Sequence, residues 1–580
     1  MKKSCRIIGA ILAASMLLSA TACQKTEEKK SKRKSDKDKK RTEQTEEPEE
    51  TEETTAEVTE ETTEETTEAT TTEETTEATT EATTAETTED IPVASDLDLL
   101  IDVPATNCKI KIPDEKRPQY KMDLTLDTEE QTIGGHVEYT FTNYSKDNWD
   151  KLCFRDYSSL FTSDNKDMFM MNPQGDLTEI KNITDHRYGI EIDYTRDTDV
   201  SVVWVDLDGD LKPGEEMTIS YDFVAKIPAM ADRYGYTASV YNITNFYPIM
   251  AMYDDDGGWS HEAFYTLGEC FYSVVSDYDV DLTVPEDMIV LSTGVEKDES
   301  KKDGQKTVSY EATCVRDFVF SASNSFTITE GDYKDTHIRI AYKGTGDPED
   351  LTGTHALKCA TDSLAVFGEA FGEYPYPDLE VILAPIDAGG MEYPNLVQIS
   401  YDYVPGLSED DLEDALDIVI AHEIGHQWFM GIVGSNSGNE PWLDESLASF
   451  TEFVYEKYAN PTIASHELQD VAFYITSDDI KEYEESSGVT PINKPYYDFK
   501  TDIAYIEAAY STGKCFYMHM CNIIGYEEML GILREYVHRT AFTNATEDDL
   551  FDTIYDCIGT DNEKANEFID QIFDYEMPNS

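Results

Sequence analysis

Positive charge is scarce in this chain, and this scarcity limits what the chain can bind. Its 580 residues include 45 lysines and arginines against 119 aspartates and glutamates, for a net charge of −74. A chain without a basic domain has no surface to meet nucleic-acid phosphates, so we expect no nucleic-acid partner. The 10 cysteines include no Cys-x-x-Cys pair, which argues against a cysteine zinc site, although one or two disulfides are expected outside the cytoplasm.

The N-terminal apolar run has the features of an export signal. Two lysines and an arginine precede "IIGAILAASMLLSA", which is shorter than a comfortable membrane span. Small residues follow up to Cys23, and this end resembles a bacterial lipobox in which Ala20 stands where leucine is usual. The resemblance implies that residues 1–23 are a lipoprotein signal peptide and that Cys23 carries the lipid, at the outer face of the bacterial cytoplasmic membrane. The alternative is an ordinary signal peptide that is cut nearby and leaves the protein secreted.

Residues 24–95 are too polar to form a folded domain. A basic stretch over residues 24–41 is followed by Thr/Glu repeats over residues 42–90, which hold about 20 acidic groups and no basic ones. Almost no apolar side chains are available to offset the entropy of ordering this segment, so we expect it to be disordered. Repulsion between the carboxylates would extend it into a stalk.

The remaining sequence changes its periodicity near residue 328. Over residues 96–328, β-branched and aromatic residues alternate with polar ones, as in "HVEYTFTNYS" and "MTISYDFVAKIP". This pattern predicts an N-terminal antiparallel β-sheet domain. Over residues 329–580, two strands, "HIRIAY" and "LEVILAP", precede runs of helical period, which predicts an α+β domain. The helical runs are residues 408–432, 441–458, 505–522 and 560–575.

The first of these predicted helices carries two histidines. Ser408 is a suitable N-cap for it. His422 and His426 lie one turn apart, so both imidazoles project to one side and can chelate one metal ion. Glu423 is rotated about 100° from the first histidine and so borders the metal without necessarily binding it. For this motif alone, a helix with two core histidines is the alternative.

A third ligand is available on the next predicted helix, within "PWLDESLASF". Pro441 suits a helix start, and the apolar residues around it bury the segment. A buried carboxylate is costly unless it is paired or binds a metal, which favours Asp444 or Glu445 as a ligand. Glu445 follows His426 after 18 intervening residues.

This order of His-Glu-x-x-His, 18 residues and Glu resembles the gluzincin zinc metallopeptidases of the aminopeptidase N family. "HQWFMGIVG" is similar to the family's "HQWFGNLV", and "WLDES" is similar to "WLNEG". The resemblance implies a thermolysin-like α+β catalytic domain and peptide substrates. It also implies one Zn²⁺ per chain, held by His422, His426 and Glu445, with Glu423 as the general base.

Two further stretches resemble motifs of the same family. "DAGGMEYP" is similar to the exopeptidase motif "GAMEN", in which the glutamate binds the substrate's free α-amine. The implied substrate-binding residues are Gly389, Gly390, Met391 and Glu392. "YSTGKCFYMHM" is similar to the segment "YxKGA", which implies that the Tyr510 hydroxyl stabilises the oxyanion, with Tyr505 as the competitor. The family's second amine-binding residue has no counterpart that can be named in "YNITNFYPIMAMYDD".

Together these features predict a membrane-anchored zinc aminopeptidase that hydrolyses N-terminal residues from peptides with a free N-terminus. About 70 residues follow Tyr510, so we expect a more open cleft than in larger relatives. A zinc endopeptidase of the thermolysin type is one alternative, which differs in whether Glu392 reads a free amine. A catalytically inactive surface lipoprotein that binds peptides is another, and a family branch that opens epoxides is a third.

Overall fold

The computed structural model describes most of the chain after residue 107. The described residues are 108–169, 172–255, 257–266, 271–344, 351–404, 415–474, 492–499, 501–559 and 562–573. The expected signal peptide, the lipid-bearing Cys23 and the expected stalk over residues 24–95 lie outside them, as does the expected helix start at Ser408.

Sequences of period two form most of the strands, which assemble into five sheets within the described residues. The strands are β1 (Gln119–Asp127), β2 (Thr132–Thr142), β3 (Trp149–Arg155), β4 (Glu179–Asp185), β5 (Ile190–Glu191), β6 (Tyr194–Arg196), β7 (Val202–Leu211), β8 (Glu216–Lys226), β9 (Gly235–Tyr236), β10 (Tyr241–Ile243), β11 (Ile249–Met250), β12 (Tyr253–Asp254), β13 (Gly258–Trp259), β14 (Ser276–Pro285), β15 (Ile289–Ser292), β16 (Val295–Lys302), β17 (Gln305–Val315), β18 (Phe320–Ser323), β19 (Thr327–Tyr333), β20 (Thr336–Tyr342), β21 (Asp378–Ala384), β22 (Gly390–Tyr393) and β23 (Leu396–Ser400).

The N-terminal region is built on an eight-stranded sheet with the order β16-β17-β14-β1-β2-β8-β4-β5. Its neighbouring strands are antiparallel except β1 and β14, which run parallel. Alternate residues of β1 are buried, as its sequence period predicts. The register places Tyr120 opposite both Tyr139 and Tyr278, and its ring stacks on theirs at centroid distances of 3.9 and 4.9 Å. Stacked aromatic rings thus form part of the core beneath this sheet.

The second region begins with a five-stranded mixed sheet of order β19-β20-β21-β23-β22. The three inner strands run parallel, and the two edge strands pair antiparallel with their neighbours. β21 is buried along its whole length, and its charged Glu380 accepts a hydrogen bond from Arg339 of β20. β22 is an edge strand and carries the "GMEY" sequence. The predicted fold class, an antiparallel β-sheet region followed by an α+β region, is confirmed, with the β1–β14 pair as the exception.

Helices follow the mixed sheet. They are α1 (Thr352–Phe371), α2 (Leu416–Gly425), α3 (Glu445–Ala459), α4 (Pro461–Tyr474), α5 (Asp502–Ile506), α6 (Gly513–Ile524), α7 (Tyr526–Thr540), α8 (Glu547–Ile558) and α9 (Glu563–Ile572). A π-helical segment, Glu507–Thr512, joins α5 to α6. Short 3-10 turns occupy Tyr157–Leu160, Ser163–Met168, Tyr401–Tyr403, Pro441–Leu443 and Tyr496–Asp498. α1 was not predicted from the sequence, because the helix is buried on most of its surface and no wide polar face marks its period.

The helix that carries the histidines ends earlier than predicted. α2 ends at Gly425 with His426 as its C-cap, whereas the sequence predicted a helix to residue 432. Beyond this point the hydrogen-bond spacing widens, and the amide of Gly431 donates to the carbonyl of His426. Met430 has a φ of 137°, which a continuous helix does not allow. The predicted continuation to residue 432 is therefore wrong.

Neither a disulfide nor a membrane-spanning helix occurs in the described part of the chain. The cysteines described there form no bridge with one another, so the expectation of one or two disulfides is wrong for these residues. None of the helices described is both long enough and apolar enough to cross a bilayer.

Candidate active site

Two histidines and a glutamate converge where α2 packs against α3. The Nε2 atoms of His422 and His426 are 3.2 Å apart, and Glu445 Oε2 lies 3.6 and 3.5 Å from them. The histidines come from the end of α2, and Glu445 opens α3 one residue beyond the 3-10 turn Pro441–Leu443. All three side chains are buried, so they form an enclosed group of donor atoms.

The donor set and its spacing fit a zinc ion. Bonds of about 2.0–2.1 Å in a tetrahedron separate neighbouring nitrogen and oxygen donors by about 3.3 Å. The three separations observed here, 3.2 to 3.6 Å, lie close to that value. Glu445 Oε2 is buried and accepts no hydrogen bond from the residues that the structure describes. Buried oxygens normally have a partner, so this oxygen is suited to bind a cation. Three protein ligands leave a fourth position for water, which is the arrangement of a catalytic zinc site.

Carboxylates orient both imidazoles. His422 Nδ1 lies 2.8 Å from Glu452 Oε1, and His426 Nδ1 lies 2.8 Å from Asp444 Oδ1. An Nδ1–H group that donates to a carboxylate leaves the Nε2 lone pair for a metal. Burial disfavours the charged form of His422, but Glu445 and Glu452 outweigh it and raise its pKa to about 9. The centre therefore favours positive charge, which a divalent cation would supply.

The carboxylate partners of the histidines are themselves held in place. Lys514 Nζ donates to Glu452 Oε2 at 2.9 Å, and the Ser437 hydroxyl donates to Asp444 Oδ2 at 2.8 Å. Glu452 was not predicted from the sequence, although the spacing of the acidic residues on α3 gives a signal for it. Glu452 follows Glu445 by seven residues on α3, so both side chains lie on one face, two turns apart.

Glu423 faces the same centre from α2. Its carboxyl group is buried, and burial raises its pKa. Within the described residues, no donor hydrogen-bonds its Oε2. Its other oxygen lies where a Cβ at position 390 would stand, so Gly390, in place of the family's alanine, gives the carboxylate room. A buried carboxylate with a raised pKa and an unused oxygen is suited to take up a proton.

β22 brings Glu392 to the same centre. The side chain is buried, and its carboxylate lies within 4.8 Å of donor atoms of His426 and Asp444. Tyr393, which stands where the family motif has asparagine, donates its hydroxyl to Thr244 Oγ1 at 2.9 Å. The edge strand is thereby tied to the N-terminal region next to β10.

The register of β22 sorts the four expected substrate-binding residues into two pairs. The amide of Ser400 donates to the carbonyl of Gly389, and the pairing continues in register to Tyr393. Because antiparallel pairs alternate between bonded and non-bonded positions, Met391 also turns its peptide groups toward β23. Gly390 and Glu392 turn their peptide groups away from β23, toward the free edge of the sheet.

Tyr510 lies beside the donor group, on the π-helical segment. Its ring stacks on His422, with centroids 6.0 Å apart and an interplanar angle of 13°. Burial and the nearby Glu445 raise the pKa of its hydroxyl, which therefore stays protonated as a hydrogen-bond donor. The competing Tyr505 meets the ring of Tyr510 edge-on at 6.2 Å and that of Tyr496 at 5.0 Å. The geometry favours Tyr510 over Tyr505 for the oxyanion.

Ser446 holds the π-helical segment against α3. Its Oγ donates to the carbonyl of Ala509 at 2.6 Å, directly before Tyr510 in the sequence. Gly513 lies so close to Ser446 that a Cβ at position 513 would overlap the serine hydroxyl. Nothing in the sequence indicates this contact, because it joins elements that are distant along the chain.

Comparison with known proteins places these side chains in one family. The family description "Peptidase family M1 domain" matches residues 355–574, the segment that contains the whole donor group, Glu392, Glu423 and Tyr510. Residues 355–574 therefore resemble a peptidase family M1 domain. The predicted kinship with the aminopeptidase N family is therefore confirmed for this domain.

Curated relatives of this M1 domain include aminopeptidases of bacteria and mammals. Aminopeptidase N of Lactobacillus delbrueckii subsp. lactis is 27% identical over 220 residues, which cover 35% of this chain and 25% of the relative. Aminopeptidase N of Bos taurus is 28% identical over 286 residues, which cover 46% of this chain and 29% of the relative. The chain thus spans less than a third of the length of these relatives.

Solved structures share the fold over a larger part of the chain. The M1 zinc metallopeptidase of Deinococcus radiodurans superposes with a TM-score of 0.54 at 15% identity, covering 80% of this chain and 96% of that chain. Another structure of that protein, bound to a Tyr-Ser-Ala substrate, has a TM-score of 0.52 at 15% identity and covers 80% of this chain and 94% of that chain. The two-region architecture is thus that of two-domain M1 peptidases, and the predicted zinc cofactor agrees with the donor group of the M1 domain.

Proposed function

We propose that this chain is a zinc aminopeptidase that removes N-terminal residues from peptides. The observation that carries the proposal is the position of Glu392, whose buried carboxylate lies within 4.8 Å of donor atoms of His426 and Asp444. A negative charge at this place would bind the ammonium group of a substrate. The first peptide bond of that substrate would then lie against the donor group.

The residues of the M1 domain divide the chemistry among them. A zinc ion held by His422, His426 and Glu445 would lower the pKa of a bound water and polarise the scissile carbonyl. Glu423 takes the proton of the attacking water and later passes it to the leaving amine. The Tyr510 hydroxyl donates to the oxyanion that develops on the substrate.

The free edge of β22 offers a place for the backbone of the substrate. Gly390 and Glu392 turn their peptide groups away from β23, so an extended peptide can pair with them as an added strand. Gly389 and Met391 then act indirectly, because their peptide groups hold the strand in the sheet.

A zinc endopeptidase of the thermolysin type fits the geometry less well. Such an enzyme accepts an internal peptide, whose neutral backbone amide would face the buried carboxylate of Glu392 and leave it without a cation. An inactive peptide-binding protein has no use for the buried carboxylate of Glu423. Both alternatives therefore rank below the aminopeptidase.

We also propose that the enzyme is held at the outer face of the bacterial cytoplasmic membrane by a lipid on Cys23. The support is the lipobox-like sequence before Cys23 and the polar Thr/Glu-rich sequence that follows it, both of which lie outside the described residues. In a bacterial host, we expect the protein in the membrane fraction and a Cys23→Ser variant outside it. Equal fractionation of the two proteins would contradict the anchor.

The activity is tested with the full-length protein and a panel of aminoacyl-4-nitroanilides, each with its N-acetylated counterpart. We expect cleavage of the free-amine set only, and loss of that cleavage with a zinc chelator. Comparable cleavage of acetylated substrates would contradict aminopeptidase action.

Two variants assign the roles of the carboxylates. Glu423→Gln should lower kcat by about 10³-fold or more while the protein retains its zinc. Glu392→Gln should mainly weaken the preference for a free amine. Glu330→Gln, an exposed glutamate of the same five-stranded sheet, should change neither quantity.

A further inference from the structure

A second group of metal-binding side chains lies between α1 and α2. His355 and Cys359 stand one turn apart on α1, and Asp417 lies in the first turn of α2. His355 Nε2 is 2.5 Å from Asp417 Oδ1, and Cys359 Sγ is 3.1 Å from the same oxygen. The sulfur and the imidazole nitrogen are 3.8 Å apart. Three donor atoms of different chemistry therefore face one point.

Helix geometry and packing explain why these side chains meet. Residues four apart share one face of a helix, and α1 packs against α2 along that face. Cys359 is fully buried, whereas the side chains of His355 and Asp417 are 47% and 41% exposed. The sulfur is thus the buried donor of the group, and the imidazole and the carboxylate are donors that water can reach.

The separations suit a divalent cation after a small adjustment. A tetrahedral zinc ion with bonds of about 2.0 Å to nitrogen and oxygen and about 2.3 Å to sulfur requires donor separations of about 3.3–3.6 Å. The observed separations of 2.5, 3.1 and 3.8 Å lie on both sides of that range. A thiolate and an imidazole select zinc and similar metals over magnesium or calcium.

We propose that His355, Cys359 and Asp417 bind a second divalent cation of zinc-like softness, with water as the fourth ligand. This cation ties α1 to the helix that presents His422 and His426. The proposal is independent of the aminopeptidase activity. It adds one cation to the one expected at the peptidase centre, which is formed by His422, His426 and Glu445.

Binding at this group exchanges protons for the metal. The Cys359 thiol donates a hydrogen bond to Asp417, so its proton must leave when the sulfur binds a cation. A cation takes the sulfur as thiolate, and the thiol proton passes to solvent. Only metal–ligand bonds form, and no electron is transferred.

Cobalt distinguishes this group from the peptidase centre. The peptidase centre offers nitrogen and oxygen donors, whereas this group includes sulfur, and thiolate–Co²⁺ bonds give a charge-transfer band in the near ultraviolet. The full-length protein is stripped with a chelator, desalted and titrated with Co²⁺, and bound metal is measured by mass spectrometry. We expect about two equivalents per chain and the charge-transfer band. Cys359→Ser should abolish the band and one equivalent.

Control variants separate the proposal from a folding defect. Cys521→Ser removes a buried thiol of α6 and should keep the band and both equivalents. Asp417→Asn, at a half-exposed position, should weaken binding of the same equivalent even where the Cys359 variant fails to fold.

The number of bound Co²⁺ equivalents and the presence of the charge-transfer band together show which of the two sites binds metal. One equivalent with the band, lost in Cys359→Ser, supports this site and contradicts a metal at the peptidase centre. One equivalent without the band overturns this proposal and leaves the peptidase centre intact. A band that persists in Cys359→Ser also overturns it.

Discussion

Replacing Ser446 by alanine removes a buried hydrogen bond beside Tyr510. The serine hydroxyl donates to the carbonyl of Ala509 at 2.6 Å, and both residues are buried. The carbonyl belongs to the π-helical segment Glu507–Thr512, in which the hydrogen-bond spacing departs from that of an α-helix. Losing a buried hydrogen bond of this kind costs about 1–3 kcal/mol. We therefore expect Ser446 to act as a positioning residue, through Tyr510.

The loss should appear in kcat. We expect the lost hydrogen-bond energy to weaken the contact between Tyr510 and the developing oxyanion. Ser446→Ala should then lower kcat roughly 5- to 150-fold, because about 1.4 kcal/mol corresponds to a tenfold change in rate. KM should stay nearly constant, since the oxyanion exists in the transition state and not in the bound substrate. Steady-state kinetics with a free-amine nitroanilide measure both constants, and metal analysis checks that zinc is retained.

The same helix provides a matched control. Ser449 is buried on α3, and its hydroxyl has no hydrogen-bond partner among the described residues, so Ser449→Ala should leave kcat within about twofold. Gly513→Ala alone should lower kcat, because its Cβ overlaps Ser446, and adding Ser446→Gly should relieve that overlap. An unchanged kcat in Ser446→Ala, or an equal loss in Ser449→Ala, would show that Ser446 does not position Tyr510.

Three other changes have effects that the structure predicts. Glu445→Gln should lower zinc affinity about tenfold or more against a competing chelator, whereas Glu423→Gln should not, because only the former removes a ligand charge. Arg316 is buried and donates to four oxygens, so Arg316→Met should lower the free energy of unfolding in urea by about 3–5 kcal/mol. Arg539→Met, at an exposed position, should leave this free energy nearly unchanged. Burial raises the pKa of Asp378 to about 7, above its value in the unfolded chain. Its proton therefore stabilises the fold at low pH, and this stabilisation is lost as the pH rises through 7. Asp378→Asn should remove roughly 2–3 kcal/mol of the fall in unfolding free energy between about pH 5 and pH 8, measured by urea titration at each pH.

Local geometry made one part of the site predictable from sequence. An α-helix places residues four apart on one face, so the spacing of His422 and His426 already indicates that both can bind one metal ion. Likewise, period two identifies the residues of β1 that face the core. Strand order was not predictable, because the parallel pairing of β1 with β14 joins segments distant along the chain.

The features of the site that could not be predicted from the sequence depend on tertiary contacts. α2 stops at Gly425, where the helix approaches α3 so closely that a Cβ would overlap Thr451. The roles of Glu452 and Ser446 depend on partners from other helices, which hydrophobic periodicity does not identify. Both kinds of information arise only when the helices pack.

The departures from the family motifs fall at contacts within the site. Gly390 replaces alanine where the carboxylate of Glu423 needs the space of a methyl group. Ser446 replaces glycine where its hydroxyl bonds the segment that carries Tyr510. Asp444 replaces asparagine where a carboxylate holds His426. Each change alters the surroundings of a proposed catalytic or metal-binding side chain, namely Glu423, Tyr510 or His426, and leaves that side chain in place. The differences from the family motifs therefore favour a peptidase centre with altered properties over one that has lost its activity.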